Sequence, residues 1–138
     1  CLPNDMSIKA IAYISGMFYV SEKDIIGRLY PATLYGEKRK STEFMTMMNP
    51  DRPETLDNLP PAIFTTSDAD FLRSYTLKYC RAYQNSGKDC TLLDYKGNKE
   101  LKHAFPATRS NLPESREAIF KITQWIITIF EESTMQSL

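Results

Sequence analysis

A chain of 138 residues, 42% of them hydrophobic, is long enough to enclose one compact core. Seventeen basic side chains balance seventeen acidic ones, and the densest charge cluster is the short Glu37-Lys38-Arg39-Lys40, a distribution that argues against nucleic acid as a partner. No apolar run approaches the ~20 residues of a membrane span, and the longest candidate, near Ile126 to Phe130, is short and amphipathic.

The first predicted element is a strand over Lys9-Ala10-Ile11-Ala12-Tyr13-Ile14-Ser15-Gly16, apolar on both faces as a parallel sheet covered by helices requires. Residues 17–59 carry no comparable strand signal. They interleave Met17, Phe18, Tyr19, Tyr30, Tyr35, Phe44, Met45, Met47 and Met48 with polar residues and are broken by Pro31, Pro50 and Pro53, which predicts short helices and an irregular excursion. The whole chain, 1–138, is expected to be one partial α/β domain carrying that excursion.

Ala62 to Thr66 is a second short run of apolar and β-branched residues, led in by Pro60-Pro61 and closed by the turn formers Ser67 and Asp68. Loops beyond the carboxyl ends of parallel strands build ligand sites in open α/β sheets, so Asp70 is a candidate for chemistry. Asp68 and Asp70 also suit a turn and a helix cap, and spacing alone leaves both readings open. Leu72, Tyr75, Tyr79, Cys80 and Tyr83 recur at helical spacing, which predicts an amphipathic helix over Arg73 to Ser86, stopped by Gly87. The run Cys90-Thr91-Leu92-Leu93-Asp94-Tyr95 then completes a βαβ unit with a right-handed crossover. Its carboxyl end leads into a loop with the chain's one histidine, His103. Asn111, Pro113 and Glu114 mark a last helix start, and Ile119, Ile122, Trp125, Ile126 and Ile129 predict the stripe it lays on the sheet. Asp70 and His103 thus follow consecutive strands at one sheet edge, where they can meet.

Three cysteines, Cys1, Cys80 and Cys90, are an odd number without metal-ligand spacing. Buried free thiols in a reducing, cytoplasmic setting are expected, with a Cys80 to Cys90 bridge as the alternative. With five glycines and no glycine-rich turn after any strand, a phosphate-cradling nucleotide module is disfavoured. No cofactor or metal is expected.

The order strand, Asp loop, helix, strand, His loop, final helix resembles the C-terminal half of an α/β-hydrolase. Leu59-Pro60-Pro61-Ala62-Ile63-Phe64-Thr65-Thr66-Ser67-Asp68-Ala69-Asp70-Phe71-Leu72-Arg73 resembles the acid-loop segment of the esterase and lipase branch related to hormone-sensitive lipase and bacterial acetyl esterases. Asn85 to Tyr95 is similar to that branch's helix end and next strand, His103-Ala104-Phe105 to its His-Gly-Phe word, and Leu112-Pro113-Glu114-Ser115-Arg116 to the start of its last helix. The resemblance implies Asp70 as triad acid and His103 as base, with Phe71 standing where the family has proline and Ala104 where it has glycine. It also implies a Gly-x-Ser-x-Gly nucleophile elbow and a His-Gly-Gly oxyanion segment upstream of Lys9, and nothing in this chain matches either.

The chain, which starts at Cys1, therefore looks cut from something longer: the acid-and-base portion of a serine carboxylesterase acting on small acyl esters, inactive by itself. The alternative is a non-catalytic α/β-hydrolase-like module that binds a ligand or partner through the same edge. Either way the first strand would present an apolar edge open to a second copy or a partner chain.

Overall fold

Three parallel strands, β1 (Ile11–Ile14), β2 (Ala62–Ser67) and β3 (Cys90–Tyr95), form a sheet in the order β1-β2-β3 in the computed structural model, which describes residues 7–19 and 34–135. Ile11 pairs with Ala62 and Ile14 with Thr65, while Ala62 pairs with Cys90 and Ser67 with Tyr95. β2 is central and all six of its residues are buried. A parallel strand covered on both faces has no polar side, which is why Ala62-Ile63-Phe64-Thr65-Thr66-Ser67 reads as a continuous apolar and β-branched run.

One face of the sheet is covered by α3, which follows two short helices, α1 (Thr42–Met47) and α2 (Pro53–Leu56), and spans Arg73–Asn85. Thr76, Tyr79, Cys80 and Tyr83 form its buried stripe. The helix closes on Gly87 at φ +75°, where the Gly87 amide donates to the Gln84 carbonyl (3.0 Å) and the Lys88 amide to the Tyr83 carbonyl (3.2 Å). That left-handed closure favours glycine and releases the chain directly into β3. Under the helix, Phe64 is surrounded by aromatic rings: Tyr13 stacks on it at 4.8 Å, and Phe18, Tyr79 and Tyr83 meet it edge-on at 5.4 to 6.0 Å. Burial, with Tyr13 alongside, pushes the Tyr79 and Tyr83 hydroxyls far above the ordinary phenol range, so this cluster stays uncharged.

A second cluster of Leu101, Phe105 and Ala118, with Tyr95 and Leu112 against it, joins the short α4 (Phe105–Thr108) and the long α5 (Pro113–Met135) to the rest of the fold. The stripe on α5 differs from the expected one. Ser115, Ala118, Ile122 and Ile129 are buried and Trp125 and Ile126 half-buried, while Ile119 is 43% exposed. The small Ala118 lies one residue, about 100° of helix, from Ile119 and takes the inward position. Ile119 and Phe120 instead line an open groove with Pro106, Arg116 and Thr123. Tyr30 and Pro31, placed by the sequence in the excursion, lie outside the described residues, as does Cys1. Among the described residues, no helix is long and apolar enough to cross a membrane.

Arg73, the first residue of α3, binds Asp94 near the end of β3 in a fork, with Nε at 3.0 Å and Nη2 at 2.7 Å from the two carboxylate oxygens. Arg73 holds the Asp94 carboxyl below its ordinary range against the opposing effect of burial, with a lesser contribution from Lys96. A carboxylate pKa depressed by folding contributes stability above the unfolded value of about 3.9 and loses it as pH falls through the folded one.

Phe64→Ala is expected to cost about 3 to 5 kcal/mol in urea unfolding; a loss below about 1 kcal/mol would show that the aromatic cluster does not close around it. Asp94→Asn is expected to cost about 1 kcal/mol at neutral pH, with a smaller difference from the parent below about pH 4, read from unfolding midpoints between pH 3 and 7.

Candidate active site

β2 ends at Ser67 in a tight turn: the Asp68 amide donates to the Tyr95 carbonyl (2.9 Å), the Asp70 amide to the Ser67 carbonyl (3.2 Å), and the Arg73 amide to the Asp70 carbonyl (3.0 Å). The turn rolls the Asp70 side chain inward, where its carboxyl is fully buried. Oδ1 accepts from the Leu72 amide (2.9 Å), so Asp70 does serve the helix start, although Leu72 and not Asp70 occupies the cap position. Oδ2 accepts from the Ser15 hydroxyl, with the Thr66 hydroxyl at 3.5 Å.

His103 completes the arrangement. Its Nδ1 lies 3.2 Å from Asp70 Oδ1, so the two residues singled out in the sequence do meet across the end of the sheet. The ring is 38% exposed, and Phe71, itself 63% exposed, lies beside it with ring centroids 5.0 Å apart. Phe71, at the position where the resemblance implies proline, thus contributes a wall to the histidine.

Two ties hold the His103 loop to the acid turn. The Ser67 hydroxyl donates to the Leu101 carbonyl, and the Gly97 amide donates to Asp68 Oδ2 (2.8 Å). Asp68 is therefore the exposed carboxylate that braces the loops, and Asp70 the buried one that faces His103. A third tie comes from β1: Ser15 Oγ, besides serving Asp70, accepts from the Ala104 amide (3.3 Å). Ser15 sits at φ +58° just past β1, and a Cβ on the next residue, Gly16, would stand 2.7 Å from the Phe18 ring. A side chain there would have to displace the Phe18 ring, which packs against Tyr13, Phe64 and Tyr79.

Neither Ser15 nor Ser67 has the flanking glycines of a nucleophile elbow. Their hydroxyls are committed to Asp70 and to the Leu101 carbonyl respectively. The bracing role itself was missed, and its signal was positional: Ser15 ends a strand at the edge where Asp70 and His103 also fall.

Ala104 has φ +54°, the left-handed region that disfavours a side chain. This gives a physical reason for the glycine that the resemblance implies at that position. Ala104→Gly is expected to raise stability by roughly 0.5 to 1 kcal/mol and Ala104→Val to lower it by at least ~1 kcal/mol; equal midpoints for all three proteins in thermal unfolding would show that the turn is not held left-handed.

No family model and no curated protein matches the sequence. Solved structures do. Esterase B from Lactobacillus rhamnosis HN001 superposes with a TM-score of 0.81 at 12% identity, over 96% of this chain and 44% of the esterase. A Pyrobaculum calidifontis esterase superposes at 0.59 with 21% identity, over 88% of this chain and 44% of its own, and an esterase from the fungus Rhizomucor miehei at 0.53 with 22% identity, over 67% and 28%. Esterase B has also been captured inhibited by a tributyrin phosphonate, and that form superposes at 0.63 with 13% identity, over 72% of this chain and 33% of the esterase. The chain spans less than half the length of the esterases it matches, and over that span it has the α/β-hydrolase fold.

Proposed function

We propose that this chain is the acid-and-base portion of a serine carboxylester hydrolase acting on small acyl esters. The observation that carries the reading is the contact between the buried Asp70 carboxylate and His103 Nδ1 at the end of a hydrolase-type sheet. With Nδ1 held by the acid, Nε2 is the nitrogen left to take a proton from a nucleophile and return it to the leaving alkoxide. Asp70 fixes the ring orientation and stabilises the imidazolium formed in that step.

The serine and the oxyanion donors belong, in this reading, to sequence outside these 138 residues. The described hydroxyls nearest the couple are bound to the acid or to the loop, so none is placed to be activated by His103. Small acyl esters are favoured by the tributyrin phosphonate bound to Esterase B, whose fold this chain shares. The same commitment of hydroxyls supports a second reading, an α/β-hydrolase-like module without turnover.

The test is hydrolysis of p-nitrophenyl acetate and butyrate by the 138-residue chain and by the longest product its coding region allows. The short chain is expected to be inactive and the longer one active, with His103→Ala lowering kcat by about 10³-fold or more and Asp70→Asn by about 10² to 10⁴-fold. Turnover by the short chain that depends on His103 would put the nucleophile inside it; a longest product lacking a glycine-flanked serine and showing no turnover would favour the binding module.

A further inference from the structure

Away from the acid–base couple, α3 and β3 bring two thiols together. Cys80 lies on the buried stripe of the helix and Cys90 opens the strand, and their Sγ atoms are 2.8 Å apart. Both are free cysteines; Cys80 is 2% exposed and Cys90 half-buried. The separation is within about 1 Å of the ~2.05 Å of a sulfur–sulfur bond, so closure needs a small side-chain adjustment and no change of fold. Helix and strand are also already fixed in relative position by the Arg73–Asp94 fork toward the other end of β3.

We propose that Cys80 and Cys90 are a reversible oxidation site, closed to an intramolecular disulfide by a small peroxide and reopened by a dithiol reductant. The sulfur that meets hydrogen peroxide breaks its O–O bond and takes one oxygen as sulfenic acid, while the other oxygen leaves as water. The second thiol then attacks that sulfur; the S–O bond breaks, the S–S bond forms, and a second water departs with the thiol proton. Two thiols lose two electrons and two protons, and one peroxide is reduced to two waters. The chemistry of the pair suits this. The hydrogen bond from Cys90 pushes the Cys80 thiol down, with the Arg81 charge helping against burial, and the same bond pushes the Cys90 thiol up. A second thiol in direct contact with the first is the arrangement from which a sulfenic acid is captured before it oxidises further.

The experiment is a hydrogen peroxide titration of the native 138-residue chain, followed by alkylation of remaining thiols and peptide mapping. The expected result is a chain lighter by two hydrogens, with the Cys80 and Cys90 peptides linked to each other, Cys1 unlinked, and the link removed by dithiothreitol. Thermal unfolding of the oxidised chain should rise by roughly 5 °C or more, as closing a short loop of the unfolded chain implies, and the rise should vanish in Cys80→Ser and in Cys90→Ser. Both sulfurs remaining alkylatable through the titration, or reaching sulfinic acid without a link, would overturn the proposal.

Discussion

A carboxylate removed from water must find hydrogen-bond donors, and the buried side chain of Asp70 imposes that requirement on the described structure. Its donors come from parts of the sequence far apart: Ser15 beyond the first strand, Thr66 within the second, the amide of Leu72 at the start of a helix, and His103 beyond the third strand. The acid can be satisfied only when all three strands are in register. The chemistry at the sheet edge and the assembly of the sheet are in this sense one problem.

The helix that covers the sheet is held to β3 at two points, its first residue and its middle. Near the site an Arg73–Asp94 fork does the holding, partly exposed and dependent on charge; in mid-helix, at Cys80, the contact is between two sulfurs in a largely apolar setting. Around the second point the aromatic packing of Phe64, Tyr79 and Tyr83 fills the interface. An electrostatic fastening weakens in acid or salt, whereas a sulfur contact responds to oxidants, so the two fastenings of one helix are sensitive to different surroundings.

How much of this was readable in the residues depended on the range of the interaction. β3 was legible to its boundaries because Cys90 to Tyr95 is a short β-rich run following a glycine-stopped helix, and the meeting of Asp70 with His103 followed from both lying after consecutive parallel strands. The stripe of α5 was misjudged at Ile119 because hydropathy prefers isoleucine to alanine, while the packed structure puts the smaller Ala118 inward. The roles of Ser15 and Ala104 had at most a positional signal. Each depends on a left-handed backbone turn and on a partner 89 positions away in the chain, and neither leaves a local pattern.

The Ser15 hydroxyl also restricts how such a sequence can drift. One oxygen donates to Asp70 and accepts from the amide of Ala104, next to His103, on a backbone at φ +58°. Alanine would leave both groups without that partner. Threonine keeps the hydroxyl but brings a branched carbon to a turn that resists one, and glycine suits the turn but has no oxygen. The position is narrow for reasons that have nothing to do with reactivity. A serine retained here among diverged copies of this sequence would be a mark of architecture, and mistaking it for a nucleophile would be an easy error.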